Sequence, residues 1–172
     1  MTLARYNLAV IEDVVIRRAE ESDLAKVAPL AGDLVRMHHE TDPSRFLLID
    51  GVEEGYARWL SREMARAEAV VLVAARGTEI IGYAYGTLEG RDWNLLLDTH
   101  GALHDVFVSS GARRGGVGRA LVDAMARALE ALGAPRVVLS TMVGNEAAQR
   151  VFRSCGFRPT MMEMTRDAIP PR

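Results

Sequence analysis

The sequence of 172 residues has little cysteine, with Cys155 as the only one. A lone cysteine excludes an internal disulfide framework and fits a protein of a reducing compartment. Histidine is also scarce, with four in the chain. Histidine and cysteine do not cluster at the spacing of metal ligands. We therefore expect no metal site and a cytoplasmic location.

Long apolar runs and an excess of one charge are missing as well. No segment approaches the length of a membrane span, so we expect no membrane partner. The formal net charge is −2 at pH 7, which excludes a global attraction to nucleic acid. Apolar residues make up 49% and charged residues 26% of the chain, a balance typical of a globular domain.

Apolar periodicity predicts a single α/β domain over residues 14–166, with terminal extensions at 1–13 and 167–172. The predicted order is β-α-α-β-β-β-α-β-α-β, which favours a mixed sheet with helices on both faces. Two of the strands, 70–75 and 79–88, should form a hairpin. The predicted strands are residues 14–18, 70–75, 79–88, 102–108, 137–140 and 157–164.

The most informative segment is the turn that joins strand 102–108 to the next helix. Glycines let the backbone approach a ligand closely, and the free N–H groups of a first helical turn point at an anion. Arginines add charge that can form paired hydrogen bonds with phosphate oxygens. The turn therefore predicts a pyrophosphate site. It runs Arg113-Arg114-Gly115-Gly116-Val117-Gly118-Arg119.

Three kinds of phosphate-binding turn share these residue types. A P-loop needs a Lys-Ser/Thr pair after its last glycine, but an Arg-Ala pair follows Gly118. A dinucleotide-binding turn needs a small residue where this chain has Leu121. The third pattern, Arg-x-x-Gly-x-Gly, is met by Arg113, Gly116 and Gly118. The alternative is a plain turn with a solvated arginine pair.

A second signature follows at residues 145–157, where an Asn-x-x-Ala helix ends at Gly-Phe. With both signatures in order, the chain resembles the GNAT superfamily of N-acetyltransferases. The resemblance covers nearly all of residues 14–164. It implies that the mixed sheet is mostly antiparallel.

The resemblance implies an acetyl-CoA site. Backbone N–H groups of residues 114–119 would hold the pyrophosphate, and the strand backbone would pair with the pantetheine arm as an added strand does. Asn145 either contacts the pantetheine or only caps its helix. The implied binding residues are Phe107, Val108, Arg113, Arg114, Gly115, Gly116, Val117, Gly118, Arg119 and Asn145.

Direct acetyl transfer needs a neutral amine, a donor for the thioester oxygen and a proton for the leaving thiolate. By resemblance, the Val108 backbone N–H is the donor. In many relatives a tyrosine of the last helix protonates the thiolate, but this chain has Phe152 there. No covalent enzyme intermediate is required, so Cys155 is expected to pack in the core.

The general base is predicted from position. Some relatives carry a glutamate nine residues before the motif arginine, where this chain has His104. Histidine titrates near neutrality, which suits a base. Strand alternation should place His104 and Asp105 on opposite faces, with His104 towards the cleft. Glu89 is the reserve.

The acceptor is expected to be a small-molecule amine, bound between the first two helices and the loop after Leu88. The alternatives are a protein or peptide N-acetyltransferase, a non-catalytic acyl-CoA-binding module and a nucleotide-binding regulator. A homodimer is compatible with the sheet edges of this family. The side chains expected near the acceptor are His38, His39, Glu40, Asp42, Phe46, Trp93 and Asp98.

Overall fold

The computed structural model describes residues 8–168, whose strands form one six-stranded sheet in chain order. Four neighbouring pairs are antiparallel, and the last pair is parallel. The predicted mixed, mostly antiparallel sheet is therefore confirmed. The elements are β1 (Ala9–Ile11), β2 (Val14–Arg18), α1 (Leu24–Thr41), α2 (Val52–Met64), β3 (Ala69–Arg76), β4 (Glu79–Glu89), β5 (His100–Val108), α3 (Val117–Ala131), β6 (Val137–Leu139) and α4 (Glu146–Ser154).

Helices cover both faces of the sheet and bury two separate cores. α1 and α2 pack on one face, and α3 and α4 pack on the other. Strand β3 serves both cores, because Val71 and Val73 belong to the first core and Val70 and Leu72 to the second. Its continuous apolar sequence follows from burial on both faces.

The helix ends follow local sequence. Asn145 caps α4, since its side-chain oxygen accepts a hydrogen bond from the Ala148 N–H at 3.1 Å. Gly133 and Gly156, which follow α3 and α4, have φ angles of +102° and +86°. Glycine adopts this left-handed conformation readily, and it ends a helix there. The predicted end of the second-signature helix at Gly156 is confirmed.

Two parts of the predicted strand order are wrong. Residues 9–11, assigned to an extension, form β1 and pair with β2. Residues 157–164 do not form a strand. Pro159 lacks a backbone N–H for a sheet ladder, and β6 offers only three residues for pairing. The predicted extensions 1–13 and 167–172 lie partly outside the described residues.

Candidate active site

The predicted anion-binding turn connects the end of β5 to the start of α3. Gly116 caps α3 with a φ of +79° and without a capping side chain. The first N–H groups of a helix have no partner within the helix, and here they open outward. The positive end of the helix dipole lies at the same point. The local geometry is that of an anion-binding helix N-terminus.

Two glycines beside this cap have no role that the fold explains. Neither Gly115 nor Gly118 has a positive φ. A Cβ at Gly118 would lie 3.8 Å from Val108, and one at Gly115 would lie 3.9 Å from the Ala112 oxygen. Both are ordinary contacts, so the protein has room for side chains at both positions. Glycine here fits close approach by a ligand.

The arginines of the turn differ in their contacts. Arg113 donates from Nε to the Val108 carbonyl at 3.0 Å and lies over the Phe107 ring at 5.3 Å. Arg119 is 3.6 Å from Asp123, one helical turn further on. Arg114 is exposed. The turn 113–119, the cradle, therefore carries three arginines, and Arg113 and Arg119 have contacts within the protein.

Among the described residues, no strand pairs with the outer edge of β5 along its second half, the free edge. Pairing with β6 ends at Leu103. Ser109 donates its N–H to Ile81 on β4 at 2.9 Å, and backbone groups of successive residues point to opposite edges of a strand. The N–H groups of Val108 and Val106 therefore face the free edge. The N–H group of Phe107 faces β4.

A β-bulge in β5 changes which side chains share a face. Tyr85 pairs with Asp105 and Gly86 with Leu103, so His104 is the extra residue. A bulge interrupts strand alternation. Both His104 and Asp105 consequently lie on the face that α1 and α2 cover. The prediction that they lie on opposite faces was wrong, because the sequence did not reveal the bulge.

His104 is bound to the neighbouring strand through its Nε2 atom. The Thr87 hydroxyl lies 2.7 Å from Nε2 and donates a hydrogen bond to Glu89. The Tyr85 ring stacks on the imidazole, with centroids 5.2 Å apart and planes at 25°. Glu89 itself is 3.8 Å from Nε2. The predicted base and its reserve thus belong to one cluster.

Asp105 is half-buried beside the hydroxyl groups of Tyr83 and Tyr56. Tyr83 donates to its carboxylate at 3.1 Å. Burial raises the pKa of Asp105, and hydrogen bonding to Tyr83 and the nearby charges of His104 and His38 oppose that rise. Burial also raises the pKa of Tyr56, and the facing Asp105 raises it further. These groups surround a carboxyl that is costly to ionise.

An aromatic row links this part of the site to α2. Trp59 packs edge-on against Tyr85 at 4.7 Å and against Tyr56 at 5.4 Å. The Tyr85 hydroxyl donates to Glu63 at 2.6 Å, and Glu63 also pairs with Arg66. Gly55 joins Tyr56 and Trp59 in lining a shallow open depression. The row is a wall on which an acceptor could rest.

Most side chains predicted to surround the acceptor have local structural roles. His39 binds the Phe46 carbonyl at 2.7 Å, and Asp42 organises the turn after α1. Asp98 pairs with Arg91 at 3.1 Å, and Trp93 is 74% exposed. His38 is the member of the predicted set whose charge reaches Asp105.

The remaining sequence-predicted residues lie within α4 or at its ends. Phe152 is 8% exposed in the α3 core and contacts Phe157. Burial raises the pKa of the Cys155 thiol to about 11, so it stays protonated at neutral pH and is a poor nucleophile. The Asn145 side-chain oxygen is used in capping α4. Its predicted pantetheine contact remains a prediction.

Sequence reasoning missed Tyr56, Glu63 and Thr87. A signal was present in β4, where alternate positions carry Tyr83, Tyr85, Thr87 and Glu89 while the residues between them are small or apolar. Polar and aromatic residues on one strand face indicate a functional surface when that face is covered by helices. The partners on α2 had no comparable signal.

Residues 8–168 were searched for membrane-spanning helices and for groups of metal-binding side chains. No helix among them is long and apolar enough to cross a membrane. In the same residues, no three or more His, Cys, Asp or Glu side chains are grouped to hold a metal ion. The residues present fit a co-substrate bound through phosphate and backbone contacts.

Solved structures share this fold at low sequence identity. The BH1408 protein of Bacillus halodurans (a tetramutant) is 22% identical, with a TM-score of 0.76 over 88% of this chain and 98% of that one. Glucosamine-6-phosphate N-acetyltransferase from Arabidopsis thaliana is 21% identical, with a TM-score of 0.66 over 92% and 100%. An aminoglycoside 6′-N-acetyltransferase from Acinetobacter haemolyticus is 18% identical, with a TM-score of 0.68 over 91% and 99%.

The family is shown by the sequence itself. No curated protein sequence matches the chain significantly. The model of the acetyltransferase (GNAT) family matches residues 34–157, which include the cradle, the bulged strand and both signatures. The chain belongs to the GNAT family of acetyltransferases.

Proposed function

We propose that this protein transfers the acetyl group of acetyl-CoA to a primary amine of a small molecule. The observation that carries the proposal is the position of β5 between two different surfaces. Its free edge continues into the cradle, and its bulge presents His104 on the face covered by α1 and α2. Donor and acceptor can therefore meet at one strand.

The cradle supports the donor half of the proposal. The N–H groups of residues 114–119 would hold the pyrophosphate, aided by the charges of Arg113, Arg114 and Arg119. The free edge of β5 would pair with the pantetheine arm through backbone hydrogen bonds. The register of β5 favours Val106 for this pairing over the predicted Phe107, and the Val108 N–H is reserved for the thioester oxygen.

The cluster of His104, Thr87, Tyr85 and Glu89 supports the acceptor half of the proposal. The amine nitrogen would bond to the acetyl carbon as the carbon–sulfur bond breaks. His104 would take the proton that the amine loses. The Val108 N–H would stabilise the negative charge that develops on the carbonyl oxygen. No side-chain acid is assigned, since Phe152 cannot donate a proton. CoA would leave as the thiolate.

A small acceptor is favoured by the size of the surface beside His104. Tyr56, Trp59 and Tyr85 form an aromatic wall there. A protein or peptide acceptor would need a long groove, and three residues alone, Gly55, Tyr56 and Trp59, line the depression. The lone cysteine supports a cytoplasmic location.

The experiment is CoA release measured with free thiol detection, using acetyl-CoA and a panel of amines. The panel spans amino acids, polyamines, amino sugars and aminoglycosides, with a lysine peptide for the protein alternative. We expect turnover with at least one small amine and its loss in His104→Ala. Turnover with the peptide alone would overturn the small-molecule assignment.

A non-catalytic acyl-CoA-binding module is the second candidate. Phe152 favours it, because an apolar ring is buried where relatives place a proton donor. Acetyl-CoA binding without CoA release on any amine would support the module over the enzyme.

A further inference from the structure

We propose that Thr87 and Glu89 position His104 by fixing its tautomer, so that Nδ1 is the atom that accepts the amine proton. The catalytic consequence rests on the proposed acetyl transfer. The hydrogen-bond chain is a property of the folded protein alone and can be measured without substrates.

The direction of the chain follows from the protons available. The Thr87 hydroxyl has one proton, and it donates this proton to Glu89. A carboxylate has only acceptor atoms, so the proton cannot also serve His104. The Thr87 oxygen, 2.7 Å from Nε2, is left as an acceptor. Nε2 must therefore carry the hydrogen.

The same bond determines the other ring nitrogen. A neutral imidazole has one N–H, so a proton on Nε2 leaves a lone pair on Nδ1. Among residues 8–168 no hydrogen bond engages Nδ1 of His104. Its ring is held flat against Tyr85, and a flipped ring would lose the bond to Thr87. Nδ1 is thus the basic atom.

Burial of Thr87 fixes the direction of the hydrogen-bond chain. Thr87 is 1% exposed, so water competes poorly for its hydroxyl. The His104 and Glu89 side chains are 42% and 44% exposed, so the two ends of the chain reach solvent. A hydroxyl with both hydrogen-bonding roles filled by protein has one low-energy orientation.

Ionisable groups from four elements surround His104. Glu89 on β4 and Asp105 on β5 lie closest. Two more groups come from the helices. Glu63 on α2 is paired with Arg66, and His38 on α1 interacts with Asp105. Proton transfer from the amine to Nδ1 would leave Nε2–H on Thr87 and the electron pair on the departing sulfur.

The first test is the tautomer itself, read from the ¹⁵N and ¹³C shifts of the His104 ring by NMR in the whole protein. We expect the Nε2–H tautomer above neutral pH. Thr87→Val should shift the population towards Nδ1–H, and Thr87→Ser should retain Nε2–H. Thr41→Val removes an exposed hydroxyl on α1 and should change nothing. An Nδ1–H tautomer in the unmodified protein would overturn the proposal.

The second test is the pH–rate profile with whichever amine is turned over. Thr87→Val should lower kcat on the order of tenfold, part of the ~10²–10⁴-fold that a general base supplies. Thr87→Ser should restore it. Glu89→Gln should also lower kcat, because a glutamine amide can donate to the Thr87 oxygen and so release the hydroxyl proton for Nε2. Unchanged profiles in both would contradict the positioning role.

The two proposals can fail separately. If Thr87→Val changes the tautomer and no amine is acetylated, the proposed transfer is wrong and the hydrogen-bond chain stands. If an amine is acetylated and Thr87→Val leaves the tautomer unchanged, the positioning role is wrong and the transfer stands.

Discussion

At the scale of single residues, glycine at position 118 is the clearest sign that the fold serves a ligand. It lies in the first turn of α3 with space for a Cβ. In a helix glycine is less stable than alanine by about 0.8–1 kcal/mol. The fold gains nothing from it, which supports the proposed binding role.

Gly118→Ala should therefore change stability and binding in opposite directions. We expect the free energy of unfolding to rise by about 0.5–1 kcal/mol in urea titrations, because the helix gains a better former. Acetyl-CoA affinity, measured by calorimetry, should fall, since the methyl group enters the cradle. Gly55→Ala is the matched control, as Gly55 lies within α2 with nothing within 4 Å of a built Cβ. It should gain stability alone, and equal affinity in both variants would contradict the site.

Asp105 gives a prediction from pH. Its pKa is raised in the folded protein, with burial as the largest cause. A raised pKa means that the folded state holds the proton more tightly. The contribution of this group to stability is then fully present below the ordinary value of 3.8 and is lost as pH rises through the folded pKa.

Asp105→Asn should stabilise the protein at pH 7 relative to the parent, because an amide needs no ionisation and can still accept from Tyr83. The difference should shrink as the pH falls towards 3.8. Chemical denaturation at several pH values measures it. A stability loss at pH 7 that equals the loss at acid pH would show that burial does not dominate.

Residue types at the cradle could be predicted, and residue orientations at the bulge could not. The spacing of Arg113, Gly116 and Gly118 matches a phosphate-binding pattern, and their binding roles stay predictions. The face on which Asp105 lies depends on one unpaired residue in β5. Bulges are set by the fit between two strands and by what covers them, which local sequence does not encode.

At the scale of elements, the close packing of α3 on the sheet holds the cradle in place. Three glycines on β4 and β5 (Gly82, Gly86 and Gly101) face this helix. A Cβ at Gly101 would lie 2.9 Å from the Leu129 Cβ and 3.3 Å from the Ala134 Cβ. The first distance is closer than real Cβ atoms approach and the second is tighter than most Cβ contacts, so the helix lies against bare backbone.

Gly101→Ala should accordingly lower the free energy of unfolding by about 1–3 kcal/mol, the usual cost of overpacking. Acetyl-CoA affinity should fall with it, because α3 must move away from β5. Gly90→Ala, at an open position, should leave both unchanged. Unfolding curves that superimpose for Gly101→Ala and the parent would contradict this packing argument.

Elements with strong periodicity were predicted well, and the last strand was not. The β3–β4 hairpin and helices α2, α3 and α4 follow from apolar spacing and from turn residues such as Gly77. Residues 157–164 are rich in methionine, but Met161 and Met164 are 89% and 88% exposed. Glu163 pairs with Arg45 at 2.6 Å, so this segment lies near the loop after α1. Strand propensity could not reveal that β6 is too short to pair with it.

At the scale of the whole molecule, the sheet separates two cores, and β5 belongs to both. Leu103 packs in the core of α3, and Phe107 packs in the core of α1 and α2. The two halves of the proposed site are thus built from different cores. They should respond to ligands as one cooperative unit, since both share the same strand.

Acetyl-CoA should raise the unfolding temperature of the protein as a whole. A ligand that binds only the folded state at 100 times its Kd contributes about 2.7 kcal/mol of stability. ATP and NAD should give no shift, which distinguishes an acetyl-CoA site from a nucleotide-binding regulator. A shift with either nucleotide equal to that with acetyl-CoA would contradict the assignment. Thermal scans at several ligand concentrations measure all three.

The edge and the face of β5 offer different groups, and this has a consequence for engineering and for evolutionary change. One edge of the strand offers backbone groups, which are the same whatever side chains the strand carries. One face offers side chains, at positions 104 and 105 and across β4 at 83, 85 and 87. A library randomised at Tyr56, Trp59 and Tyr85 should therefore alter which amines are accepted while the donor stays the same. Such a strand lets the acceptor range diversify without requiring the cradle to change.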